Sequence, residues 1–214
     1  MSDYPTKDQT IGPYRGRVAN ALRSPDLLVA LVRIPALINS EFADVLTAGR
    51  NRNVKLDLVC ERQTYTVVVK EFGKPSVLRN AIDRRRGAKA RRTWLAAAHL
   101  AEAGVGTPEP VAFLERWAEE RLVESYMVTL YQDQVTSFAD ELNDLFRKEP
   151  ECSTFMGLMQ TVANGVRAMH DAGFQHNDLG NQNILLRRAG VETWGDIQFI
   201  DLNRGRIRES LTPR

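Results

Sequence analysis

Apolar and polar positions change period several times along the chain, and each change marks an element. Val54-Lys55-Leu56-Asp57-Leu58-Val59 alternates, and Thr64-Tyr65-Thr66-Val67-Val68-Val69-Lys70 is β-branched and aromatic-rich. The spacing predicts two strands joined through the polar Glu61-Arg62-Gln63 connection, a hairpin punctuated by Gly49 and Gly73. Residues 88–103 are helix formers with Trp94, Leu95, Ala98 and Leu100 apolar, and Gly104 is a C′ residue before an irregular Gly-Thr-Pro-Glu-Pro. Short strands follow at 111–113 and 122–130. Residues 135–146 read as a helix ended by Pro150. Residues 155–170 read as a longer helix, apolar at 155, 158, 159, 162, 166 and 169 and closed by Gly173. Strands at 184–186 and 197–200 flank a turn region, 187–195. Upstream, 27–46 reads as one or two short helices broken around Pro35, and 1–26, with prolines at 5, 13 and 25, as an irregular lead-in.

A strand-rich first half with one inserted helix, then a helical half with two short strands, predicts an α+β fold of two lobes, 1–130 and 131–214. No internal repeat interrupts that order. With 214 residues, 43% hydrophobic and 26% charged, the chain can bury a sizeable core. The net charge of +2 gives no reason to invoke nucleic acid. The basic residues are nonetheless uneven. Arg79, Arg84, Arg85, Arg86, Lys89, Arg91 and Arg92 crowd around the one acid Asp83. Two readings stand for that run, a solvated helix face or a surface facing an anionic partner. It has no interleaved aromatics to stack on bases, which argues against nucleic acid.

Two cysteines, Cys60 and Cys152, cannot staple a chain of this size and are expected reduced and buried, as in a cytoplasmic protein. No signal peptide is expected. The apolar stretch 27–38, interrupted by Arg33 and Pro35, is too short to cross a bilayer and reads as a core or lobe-covering helix, with a shallow membrane contact as the alternative.

Candidate chemistry concentrates in His176-Asn177-Asp178-Leu179-Gly180-Asn181-Gln182-Asn183, which lies between a helix and an apolar strand. A second carboxylate, Asp201, ends the next strand. Carboxylates at the ends of adjacent strands can converge on one divalent cation, and Mg²⁺ takes oxygen ligands from protein and phosphate together. An Asp, an Asn five residues on and a second Asp after a hairpin suit phosphoryl transfer. Three such residues are common in surface loops, so the strand context carries the reading. Lys70 ends an apolar strand, where an ammonium needs a compensating anion unless it emerges from the sheet edge into water.

These residues resemble a known family. Val69-Lys70 looks like the ATP-contacting lysine segment of protein kinases, His176 to Leu185 resembles their catalytic loop, and Ile200-Asp201 the start of their metal-binding motif. Ala90-Arg91-Arg92-Thr93-Trp94, Gly104-Val105-Gly106-Thr107-Pro108-Glu109-Pro110 and Phe199-Ile200-Asp201-Leu202-Asn203-Arg204 make the resemblance closer to the lipopolysaccharide kinase family, including the 3-deoxy-manno-octulosonic acid (Kdo) kinases. The resemblance implies a two-lobed protein-kinase-like fold and an ATP- and Mg²⁺-dependent phosphotransferase. By the same resemblance Lys70 would hold ATP phosphates and Asp178 would orient a substrate hydroxyl and accept its proton. Asn183 and Asp201 would bind Mg²⁺, and His176 would brace the catalytic loop. Gly49, in Thr47-Ala48-Gly49-Arg50-Asn51-Arg52-Asn53, stands where the phosphate-covering loop belongs, with Arg50 and Arg52 as its cations. The implied acceptors are sugar hydroxyls of lipopolysaccharide core or Kdo–lipid A. That would place the enzyme in the cytoplasm against the inner membrane, with the basic run facing anionic glycolipid.

The chain departs from the family pattern in places. Thr93 stands where many relatives carry an acid before the tryptophan, leaving Glu102, Glu109 and Glu124 as acids to pair with Lys70. Gly180 replaces a commoner His or Asn in the loop. Residues 204–214 are polar, predicting a shortened second lobe that leaves part of the helix at 155–170 exposed. Besides a sugar kinase, a kinase for a small molecule or a protein hydroxyl, and a nucleotide-binding protein without transfer, fit the same residues.

Overall fold

The computed structural model describes residues 3–49, 51–61, 63–148, 151–190 and 193–208, with the backbone alone at 77–79. Two compact units emerge, Met1–Leu95 with Glu109–Tyr131, and Ala96–Pro108 with Gln132–Arg214.

The first unit holds β1 (Gln9–Ile11), β2 (Tyr14–Val18), α1 (Pro25–Val32), α2 (Ile34–Leu37), β3 (Asp44–Thr47), β4 (Asn51–Val59), β5 (Thr64–Phe72) and α3 (Val77–Arg86). Helix α4 (Lys89–Glu102) begins in this unit and ends in the second, and β6 (Pro110–Ala118) and β7 (Arg121–Leu130) complete the first. The seven strands form one sheet in the order β1-β2-β6-β7-β5-β4-β3. The predicted hairpin is β4–β5, antiparallel with Val54 opposite Val69 and Lys70 opposite Asn53. Arg62 of its connection lies outside the described residues.

The expected irregular lead-in is instead a hairpin. Ile11 pairs with Tyr14 around a two-residue Gly12-Pro13 turn, and Gly12 takes a positive φ of 57°, a backbone that favours glycine in such turns. Strand β2 then pairs with β6. Prolines at 5 and 13 hid these strands, since the pairing edge is set by β6, about a hundred residues on. Asp8 fastens the hairpin: Arg17 Nε donates to it at 2.7 Å, and Arg15 and Arg91 lie at 3.1 and 3.3 Å.

Alternation assigns the two sheet faces. Val54, Leu56, Leu58, Val67, Val69, Ala112, Leu114 and Val128 share one face, packed with Leu27, Leu31, Ile34 and Ile38. The segment at 27–38 is therefore core, with Leu27, Leu31, Ile34 and Ile38 fully buried. Helix α1 starts because Ser24 Oγ accepts from Leu27 N and Pro25 sits at its first turn. Among the described residues no helix is long and apolar enough to cross a membrane. The opposite face carries Lys70, Met127 and Phe113 in register, with Trp94 of α4 tilted against Phe113 at 5.9 Å.

In the second unit, β8 (Val135–Ser137), α5 (Phe138–Arg147), α6 (Cys152–Asp171), β9 (Phe174–Gln175), β10 (Ile184–Arg188), β11 (Trp194–Phe199) and β12 (Arg206–Ile207) follow in order. The helix expected from 135 begins three residues later. Val135–Ser137 pairs with β10, and Ser137 caps α5 by accepting from Asp140 N. Pro150, expected to end that helix, lies outside the described residues, as do Val191 and Glu192 of the β10–β11 connection. The polar residues after Asp201 include β12, which pairs with β9. Cys60 is buried as expected, whereas Cys152, the first residue of α6, is exposed.

One buried carboxylate joins these elements. Glu141 of α5, 2% exposed as a side chain, accepts from Arg188 Nε and a terminal guanidinium nitrogen at 3.0 and 2.8 Å. It also accepts from Thr136 at 2.5 Å and Trp194 Nε1 at 2.9 Å. Burial works to raise its pKa, but bonds from Arg188, Thr136 and Trp194 outweigh burial and hold it below the ordinary glutamate range. A depressed folded-state pKa gives stability that is present above the unfolded value and lost as pH falls through the folded one. Arg188→Leu is expected to cost roughly 2 kcal/mol at pH 7, below the usual range for a broken buried pair because Arg188 is 39% exposed. It should also flatten the loss of stability below about pH 4. Urea denaturation at pH 3 and pH 7 checks both; equal midpoints for variant and wild type at pH 7 would refute the assignment.

Candidate active site

The loop that follows α6 is fixed from inside. His176 is 1% exposed, and its Nε2 sits 2.8 Å from the Ile200 carbonyl, to which it donates. The Phe174 ring packs edge-on against it at 6.3 Å. His176 Nδ1 is buried with no hydrogen-bond partner among the described residues. The imidazole is thus a strut between the loop and the end of β11.

Asp178 is 40% exposed as a side chain and held by its neighbours. Its backbone carbonyl accepts from Asn183 Nδ2 at 2.8 Å and from Gly180 N at 3.0 Å. Asn183 O in turn accepts from Ile200 N at 3.0 Å, so the β10–β11 pairing brings Asn183 beside the residue before Asp201. His176, Asp178, Asn183 and Asp201 are therefore tied to one another within the second unit. Asn183 uses its NH₂ group on Asp178, which turns its carbonyl oxygen to the other side of the amide. That oxygen and the Asp201 carboxylate are hard donors of the type Mg²⁺ takes.

Two residues not anticipated in the site complete it. Asp201 has φ 60° and ψ 46°, a left-handed backbone that Asp tolerates better than most residues. The chain then turns back through Leu202–Arg204. Asn203 Nδ2 donates to Asp201 Oδ1, and an Arg204 guanidinium nitrogen lies 3.2 Å from Asp178 Oδ2. Asn177, also left-handed at φ 62°, donates to the Arg204 carbonyl. The sequence signal is Asn203-Arg204, one residue beyond Asp201.

Lys70 and Gly49 stand in the first unit. Lys70 lies on a central strand between β4 and β7, with Nζ 5.5 Å from the Phe72 ring centroid, and Lys89 Nζ is 5.7 Å from the same centroid. Gly49 has φ 115° in the β3–β4 connection, and Arg50 lies outside the described residues. Arg52 is not turned to a phosphate: it donates to Ile38 O at 2.7 Å and Asn39 Oδ1 at 2.9 Å. Of the acids weighed for Lys70, Glu124 is taken by Arg116 at 2.6 and 3.1 Å and by Tyr14 at 2.8 Å. Thr93 is buried, its hydroxyl donating to Lys89 O.

The basic run is not one face. Gly87, at φ 81°, separates α3 from α4. Arg84 pairs with Glu120, Arg91 with Asp8 and Arg92 with Asp83. Arg85 and Arg86 are exposed at the end of α3, and the Arg79 side chain lies outside the described residues.

A sheet unit with a lysine on a central strand, and a second unit whose loop and following strand bring two aspartates and an asparagine together, define a protein-kinase-like fold. The chain belongs to the lipopolysaccharide kinase (Kdo/WaaP) family, whose model matches residues 75–213. It is 32% identical over 127 residues to the lipopolysaccharide core heptose(I) kinase WaaP of Escherichia coli, covering 58% of this chain and 48% of that protein. Its identity to the protein of the same name from Pseudomonas aeruginosa is 31%, over 58% of this chain and 47% of the relative. The chain thus spans about half the length of the curated relatives it matches. A solved structure, WaaP in complex with acyl carrier protein, superposes with a TM-score of 0.60 at 24% identity, covering 89% of this chain and 69% of that one.

Proposed function

We propose that this protein transfers the γ-phosphoryl group of ATP to a sugar hydroxyl of lipopolysaccharide core or of Kdo–lipid A, working in the cytoplasm against the inner membrane. The supporting observation is the linked set in the second unit: Asn183 bonded to the Asp178 carbonyl, and His176 bonded to the carbonyl preceding Asp201. Asp178 would accept the proton of the acceptor hydroxyl as its oxygen bonds to the γ-phosphorus. The bond to the β,γ-bridging oxygen breaks, and ADP leaves with that electron pair. Lys70 would hold the α- and β-phosphates, with Gly49 easing the approach of the β3–β4 turn. Asn183 and Asp201 would hold Mg²⁺, which when bound supplies charge neutralisation at the phosphate oxygens. The relatives are named for a core heptose, so that sugar is the first acceptor to try.

Thr93 favours a second reading, nucleotide binding without transfer. The Thr93 hydroxyl is bonded within its own helix, where the family pattern carries an acid. Phosphoryl transfer from labelled ATP with Mg²⁺ to heptose-containing core and to Kdo–lipid A separates the readings. Transfer to either supports the sugar kinase. Mg²⁺-ATP binding with transfer to neither supports the second reading or another acceptor.

A further inference from the structure

We infer that Arg204, Arg206 and Arg208 form an oxyanion subsite beside Asp178, so that the acceptor carries a phosphate or carboxylate close to the hydroxyl that reacts. The inference rests on the phosphotransferase reading for the role of Asp178, and it names the chemistry of the acceptor.

The three guanidiniums recur every second residue and all three residues are exposed. Arg206 and Arg208 lie on and just beyond β12, where alternate residues share a face and stand about 6.6 Å apart along the strand. Among the described residues no carboxylate pairs with either of them; Glu209, next along the chain, lies outside those residues. Arg208 Nε donates to Gln175 Oε1 at 3.1 Å. Arg204 is 66% exposed and directs one nitrogen to Asp178, leaving the rest of its donor fork for a second oxyanion.

The backbone beneath is rigidly placed. Arg208 N donates to Gly173 O at 2.8 Å, and Gly205 N to Leu202 O at 2.9 Å. A Cβ on Gly205 would lie 2.1 Å from Cζ of the buried Phe174. Arg204 therefore enters and Arg206 leaves a position that admits no side chain. The strand is pressed onto the core while its arginines point to water. Arg206 and Arg208, two residues apart along the end of β12, carry like charges, and an incoming oxyanion offsets their mutual repulsion. Because Arg204 also contacts Asp178, such an anion binds next to the group that receives the hydroxyl. A neutral sugar gains nothing from this strip.

The test follows the arginine Nε–Hε resonances of the full chain during titration with inorganic phosphate and, separately, acetate. Excess Mg²⁺ and a non-hydrolysable ATP analogue occupy the nucleotide site. Resonances of Arg204, Arg206 and Arg208 are expected to shift together and saturate, with a response that weakens in high salt. Arg206→Gln with Arg208→Gln should weaken phosphate binding about tenfold or more, since charge-assisted bonds are lost, and leave the analogue's affinity unchanged. In transfer assays the same double variant should raise KM for a phosphorylated or carboxylated acceptor, leaving kcat and the KM for ATP near wild type. Comparing phosphate-bearing with carboxyl-reduced core distinguishes which anion is read. Equal small shifts at Arg85, Arg86 and Arg167 would overturn the subsite. So would an unchanged acceptor KM, or loss of binding to anionic vesicles alone, which would make the strip a membrane contact. Wild type failing to transfer to any acceptor defeats the phosphotransferase reading, while the phosphate titration still decides the subsite.

Discussion

Replacing Asp178 by Asn is expected to lower turnover by about 10²–10⁴-fold, the usual contribution of a positioned general base, with little change in affinity for ATP. The amide keeps the size of the side chain, and the backbone carbonyl that Asn183 holds is untouched. The loop should therefore keep its shape. The Arg204 contact weakens, but it is a partly exposed pair whose loss costs little stability. The measurement is single-turnover transfer from labelled ATP beside equilibrium binding of the nucleotide. Unchanged turnover would remove Asp178 from the base role, whereas loss of ATP binding would point to a disturbed site rather than lost chemistry.

Replacing Asp201 by Asn should abolish the Mg²⁺ dependence of nucleotide binding. Removing partners one shell out from a metal already costs 10–100-fold in affinity, so loss of a charged ligand should exceed about 100-fold. Asparagine is the informative choice because it tolerates the left-handed backbone at this position, where alanine adds strain to the loss of the ligand. ATP affinity measured with Mg²⁺ and with EDTA should differ for wild type and converge for the variant. Titration curves that coincide with wild type would show that the cation is held elsewhere.

What could be read from the chain follows the range of the interactions involved. Strands β4 and β5 and helices α4 and α6 announce themselves through their own periodicity. Val135-Thr136-Ser137 reads as helix because it runs directly into α5, and only its pairing with β10 makes it extended. The β1–β2 hairpin was invisible for the same reason, with β6 supplying its partner edge. In the candidate site, the grouping of Asp178, Asn183 and Asp201 is legible because their spacing brackets the β10–β11 hairpin. The roles of Asn203 and Arg204 were not, since a left-handed residue sends the chain back toward the loop and spacing along the sequence does not encode that turn. The basic run misled in the opposite way. Cations close in sequence are divided between α3 and α4, and three of them pair with Asp8, Asp83 and Glu120.

The mirrored backbone at Asp201 also bears on how this gene can change. One base substitution converts an aspartate codon to glutamate, asparagine or glycine. Glutamate retains the charge, and the chain itself holds Glu119 and Glu120 at positive φ, but its longer side chain bonds to the nearby backbone less readily than that of Asp or Asn. Asparagine and glycine fit the backbone and forfeit the charge. The conformation therefore favours, over the substitution nearest in chemistry, those that silence the site. A lineage relieved of selection for phosphoryl transfer would drift at this position toward Asn or Gly with its architecture intact, leaving a well-folded relic.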